Sequence, residues 1–163
     1  MTILLFSSLL IDMTAAAEQS VIALANHVHS LIIHRNAATL IELQQALGGL
    51  REQVARHPNR IGWPDDFEPV SEFLMLRNHL ESLWPELGFY DLDTGGLMQD
   101  VTTEIGDALD DLVDIANDLS HALQLAERET AGALDWLRFH LETHWGPHLD
   151  DLDRHLAFLI QQP

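Results

Sequence analysis

The chain contains neither cysteine nor lysine. Without cysteine there are no disulfides, no thiolate zinc sites and no cysteine nucleophile. Without lysine there is no Schiff-base chemistry and no phosphate-loop lysine. Nine glycines and six prolines are too few for a disordered chain. Neither Gly48-Gly49 nor Gly95-Gly96 sits in a nucleotide-binding fingerprint, and no nucleophile-elbow serine is present. Basic charge is scarce as well: eight arginines stand against 26 acidic residues, a formal net charge of −18. No arginine occurs from Asn78 through Glu127. A field of that sign repels phosphate backbones, so no nucleic-acid partner is expected. The apolar stretch Ile3 to Ile11 stops at Asp12 and is too short to span a bilayer, so no membrane partner is expected either. It also lacks the positive residue that precedes a signal-peptide core. Residues 1–12 are therefore expected to be a non-native or disordered extension ahead of a start at Met13. Residues 13–163 are expected to form one helical-bundle domain in the cytoplasm.

What the chain does contain is helical periodicity. Val21, Leu24, Ala25, Val28, Leu31 and Ile32 lie at the spacing of one amphipathic helix over about 15–35. Asn36 is expected to cap a second, in which Leu40, Leu43, Leu47, Leu50 and Val54 recur, ending before Pro58. A loop over 59–69 is expected to fold Trp63 and Phe67 back onto the helices. A third helix is read over 70–84 and a long irregular segment over 85–100. An acidic helix follows from near Thr102 to Arg128, then a Trp-rich helix capped by Thr130, and a last helix driven by Leu149, Leu152, Leu156 and Leu159. No strand pattern is visible. The fold class is all-α, a single antiparallel bundle of five to six helices.

Chemistry concentrates in the acidic and Trp-rich segments. On a helical wheel Ala108, Leu112, Ile115, Leu119 and Ala122 share an apolar arc. Opposite it lies a stripe of Asp107, Asp111, Asp114 and Asp118, continued by His121. The simplest expectation for such a run is a solvated face. The alternative is a row of carboxylates that meets a cation, either a metal or an arginine-bearing partner. In the next segment His140, His144 and His148 are spaced i, i+4, i+8. The first two share a helical face, the spacing at which two imidazoles can hold one metal ion. His148 lies beyond Gly146-Pro147, where the helix is expected to kink or restart with Pro147 in its first position.

The order D-L-x-D-I-x-x-D-L, here Asp111, Leu112, Asp114, Ile115, Asp118 and Leu119, is followed by W-G-x-H-L at Trp145, Gly146, His148 and Leu149, with Arg154 beyond. In these motifs the chain resembles the bacterial family known as domain of unknown function 5063. The resemblance implies an all-helical fold and no established activity. The chain departs from the pattern at Ala116, where an aromatic is expected, and at Pro147 after the glycine.

Two functions follow as expectations. The first is an interaction or regulatory module that docks a protein partner or self-associates, through Trp136, Phe139, Asp107 and Asp111. The second is a divalent transition-metal site, enzymatic or not, drawn from His140, His144, Asp114, Asp118 and His121; imidazole with carboxylate suits Zn, Mn, Fe or Ni. Acid–base catalysis by the pair Asp118 and His121 is a third option. No catalytic residue is assigned and no cofactor is required by the sequence.

Overall fold

A computed structural model describes residues 2–71, 73–99 and 104–162, with side chains from Ala15 onward. Among the described residues six helices carry the fold: α1 (Thr2–His34), α2 (Leu40–Ala55), α3 (Phe73–Leu83), α4 (Ala108–Ala126), α5 (Thr130–Thr143) and α6 (Trp145–Ile160). The expected all-α bundle is thus the architecture found. The backbone of residues 2–12, expected to be a non-native or disordered extension, continues α1 toward the N-terminus. Among the described residues no helix is long and apolar enough to cross a membrane.

α4 is the central helix. It packs against α1, α3, α5 and α6, and its first turn touches β1 (Phe89–Asp91). Leu112, Val113, Ile115, Ala116, Leu119, Ala122 and Leu125 are all fully buried. Burying a leucine or isoleucine side chain is worth about 1.5–3 kcal/mol, so this apolar arc dominates the fold. α2 closes the bundle against α1, α5 and α6 through Leu43, Leu47, Leu50 and Val54.

Helix ends differ from the sequence expectation in instructive ways. The cap of α2 is Thr39, not Asn36. The Thr39 hydroxyl accepts from the backbone N–H of Glu42, and the Glu42 carboxylate accepts from the N–H of Thr39 at 2.8 Å, a complete capping box. Arg35, Asn36 and Ala37 instead form a left-handed turn, with φ of 54°, 43° and 64°. Arg35 ties that turn down: Nε donates to the Ala38 carbonyl, Nη1 to that of Leu83, and the fork grips Glu86. Thr130 is the first residue of α5 rather than its cap, which is Glu129. α6 restarts at Trp145 with His144 as its cap, so Pro147 occupies the third position.

The expectation of no strand is overturned. Phe89–Asp91 pairs antiparallel with β2 (Ile105–Asp107), Phe89 opposite Asp107 and Asp91 opposite Ile105. Three residues per strand leave too little sequence to show an alternating period. Thr102, where the acidic helix was expected to begin, lies outside the described residues; α4 begins at Ala108. Asp107 ends β2 and caps α4, its Oδ1 accepting from the N–H groups of Leu109 and Asp110. Its other oxygen takes the guanidinium of Arg77 at 3.0 Å.

Candidate metal centre

The acidic stripe of α4 is not a solvated face. Asp111 is 8% exposed and Asp118 4%, because α6 lies across them. Burying a carboxylate costs several kcal/mol unless it is paired and hydrogen-bonded. Here the pairing comes from the start of α6. His144 Nδ1 lies 2.8 Å from Asp118 Oδ2, and His148 Nδ1 lies 2.8 Å from Asp111 Oδ1. An ionised carboxylate only accepts, so each Nδ1 carries the proton and donates it. That tautomer turns Nε2 of each ring into the free nitrogen. Nε2 of His148 faces Asp114 Oδ2 at 3.4 Å.

A break in the helix makes this possible. α5 ends at Thr143 and the cap residue His144 takes φ −145°, ψ −79°. Trp145 then buries completely and donates Nε1–H to the Leu137 carbonyl at 3.0 Å, which locks the corner. Gly146 is required by space, since a Cβ there would run into the carbonyl oxygen of Leu141 and lie 3.0 Å from its carbonyl carbon. From the cap into α6, His144 and His148 are one turn apart and their rings meet at 5.1 Å. The imidazoles brought together are therefore His144 and His148.

A second row of contacts positions Asp111. The only tyrosine of the chain, Tyr90 on β1, is fully buried and donates its hydroxyl to Asp111 Oδ2 at 2.9 Å. Its ring stacks on His155 at 4.5 Å, and His155 Nδ1 in turn donates to the Gly95 carbonyl. Gly95 sits at φ +73° against the backbone of Arg154, where a side chain would be both strained and obstructed. Burial, and then the charge of Asp111, push the Tyr90 hydroxyl far above its ordinary value, so it stays a donor.

The electrostatics hold positive charge on the His148 ring. The hydrogen bond to Asp111 raises the pKa of His148 against the opposing effect of burial, with Asp114, Asp111 and Asp151 adding to the rise. Burial raises the Asp114 carboxyl, partly offset by His148 and His144. Asp114, His144 and His148 each offer a ligand atom within 4.8 Å of the others. A tetrahedral ion with bonds of roughly 2.0–2.1 Å needs ligand atoms about 3.3 Å apart, close to the observed His148–Asp114 separation.

The other residues singled out in the sequence lie elsewhere or act differently. Asp118 orients His144 rather than facing the gap. His140 is turned away: Nδ1 bonds the Trp136 carbonyl at 2.9 Å and the ring stacks on Trp136 at 4.1 Å. His121 is buried beside the edge of Trp136, its Nε2 without a protein partner, and burial lowers its pKa. Trp136 and Phe139 are not a bare aromatic patch. Trp63 covers both, at 5.3 and 5.6 Å, and Phe67 meets Trp136 at 5.4 Å, so the 59–69 loop folds back as expected. Asp107 is engaged as a helix cap and Asp111 is buried. Tyr90 was not among the expected site residues; its sign in the sequence is a lone tyrosine among loop carboxylates.

Residues 21–162 match the family described as Domain of unknown function (DUF5063). No curated protein and no solved structure matches the chain. The matched stretch runs from the second half of α1 past the end of α6 and holds Tyr90, Asp111, Asp114, Asp118, His144 and His148. The chain belongs to the DUF5063 family.

Proposed function

We propose that this protein is a metal-binding helical bundle, with His144, His148 and Asp114 as ligands of one divalent transition-metal ion. The observation that carries the reading is the pair of carboxylates behind the pair of imidazoles. Metal-ligating histidines almost always donate their second ring N–H to a carboxylate, carbonyl or water, which fixes tautomer and ring orientation. Asp118 does this for His144 and Asp111 for His148, and Tyr90 steadies Asp111 in turn. Two imidazoles with one carboxylate suit Zn, Mn, Fe or Ni. A three-ligand set leaves coordination positions open for water or substrate, as catalytic rather than structural sites do.

Metal content tests it. Protein purified without an affinity tag or chelator is expected to carry about one equivalent of metal, while His144→Ala, His148→Ala and Asp114→Asn carry almost none. His140→Ala keeps its metal, because that ring is committed to Trp136. Loss of metal in His140→Ala with retention in His148→Ala would place the ion elsewhere.

An interaction role is a second reading, supported at a different surface. Phe89, Leu97 and Ile105 are 62%, 60% and 58% exposed around the two-stranded ribbon. Exposed apolar groups gathered on one short ribbon mark a contact surface more often than scattered ones do. If they mediate self-association, sedimentation of the wild-type chain shows a dimer that Phe89→Asp converts to monomer. A monomer in both leaves self-association without support.

A further inference from the structure

A cavity of about 690 Å³ opens between α1, the end of α2, the loop that follows and α5. Its size is ordinary for a small-molecule site, but its charge is not ordinary for this chain. Two of the eight arginines, Arg56 and Arg60, line it. All the arginines except Arg56 lie within ion-pair distance of a carboxylate: Arg35, Arg51, Arg60, Arg77, Arg128, Arg138 and Arg154. Arg56 has none among the described residues and reaches only the Gln53 side-chain oxygen, at 3.2 Å. In a chain with 26 acidic residues, a guanidinium left without a carboxylate beside a cavity marks a place for an anion from outside.

Arg60 is held in readiness by a buried acid. Asp135, 2% exposed, accepts Arg60 Nε on both oxygens at 2.7 and 2.9 Å and also meets His57 Nε2 at 2.8 Å. The loop comes this close only because Gly62 has no side chain; a Cβ would collide with the Asp135 carboxylate. With Nε engaged, neither Nη group of Arg60 has a hydrogen-bond partner among the described residues, and the side chain remains 53% exposed. A guanidinium fixed in this way suits the planar fork of a carboxylate. Below it the cavity wall is apolar, formed by Val21, Leu24 and Leu134.

We propose that this cavity binds an amphiphilic monocarboxylate, its carboxylate between Arg56 and Arg60 and its hydrocarbon part against Val21, Leu24 and Leu134. The proposal is independent of the metal centre. Glu18 also lines the cavity and opposes such a ligand by charge, which supplies an internal control. Two sources share this chemistry: a free aliphatic acid, and the C-terminal carboxylate of a peptide ending in apolar residues.

Calorimetry on the full chain distinguishes them, with decanoate and decanol in one arm and a peptide ending Leu-Leu, free or amidated, in the other. One carboxylate ligand is expected to bind saturably and its neutral counterpart is not. Arg56→Gln weakens it about tenfold, the loss of one charge-assisted hydrogen bond, and Glu18→Gln tightens it. Arg56 is exposed, so its replacement leaves the fold intact, whereas Arg60→Gln also strips Asp135 of its counter-charge. Binding of decanol or of the amidated peptide as tight as its acid overturns the proposal. So does an unchanged affinity in Arg56→Gln, or no binding of either carboxylate.

Discussion

Zinc in large excess raises the melting temperature of the metal-free wild-type protein by about 5–10 °C and leaves that of His148→Ala unmoved. An ion that binds only the folded state at a hundred times its Kd contributes about 2.7 kcal/mol. In a domain of this size each kcal/mol moves the midpoint by about 2–4 °C. His148 is the discriminating residue because it supplies Nε2 opposite Asp114 and is itself oriented through Asp111. The quantity to compare is the metal-induced rise in each variant rather than its starting midpoint, since removing His148 also leaves two carboxylates short of a partner. His140→Ala serves as the control and should rise as the wild type does. An equal rise in His148→Ala, or no rise with Zn, Mn or Ni in the wild type, would discard the centre.

Gly146→Ala is expected to lower the melting temperature by about 6–12 °C, the cost of roughly 3 kcal/mol in a domain of this size. Overpacking a tight site costs about 1–3 kcal/mol when side chains can give way. Here the added methyl meets backbone, the Leu141 carbonyl in the last turn of α5, so the upper end applies. Relief requires α5 and α6 to part at their corner, and Trp145 beside it is fully buried. His144 and His148 flank Gly146, so the same substitution spreads the ligand pair and weakens metal uptake. Differential scanning calorimetry reads the first effect and metal titration the second. A midpoint within a degree of wild type would mean that the corner yields without cost.

The helices were legible because each carries its own apolar period; Leu43, Leu47, Leu50 and Val54 need no partner to be recognised. The capping box at Thr39 and Glu42 is equally written in the sequence, but the cap was expected at Asn36, which sits instead in the left-handed turn that Arg35 ties to Glu86 and Leu83. The ribbon was not legible, because Phe89–Asp91 finds its partner only at Ile105–Asp107. The acidic stripe on α4 was visible and its burial was not. A helical wheel treats one helix alone, and on that view a row of aspartates faces water. What reverses it is α6, whose His144 and His148 supply the donors that make burial of Asp111 and Asp118 affordable. The same limit hid Asp135, an acid between apolar neighbours whose partners His57 and Arg60 lie 78 and 75 residues away.

The central position of α4 sets how a bound ion would leave. A helix enclosed by α1, α3, α5 and α6 opens only when most of the molecule opens, whereas a corner between two helices can move by itself. Asp114 belongs to the first kind of element; His144 and His148 stand at the second. Exchange of the proposed ion would then be governed by motion of the α5–α6 corner, and its lifetime on the protein would be decoupled from the much rarer event of global unfolding.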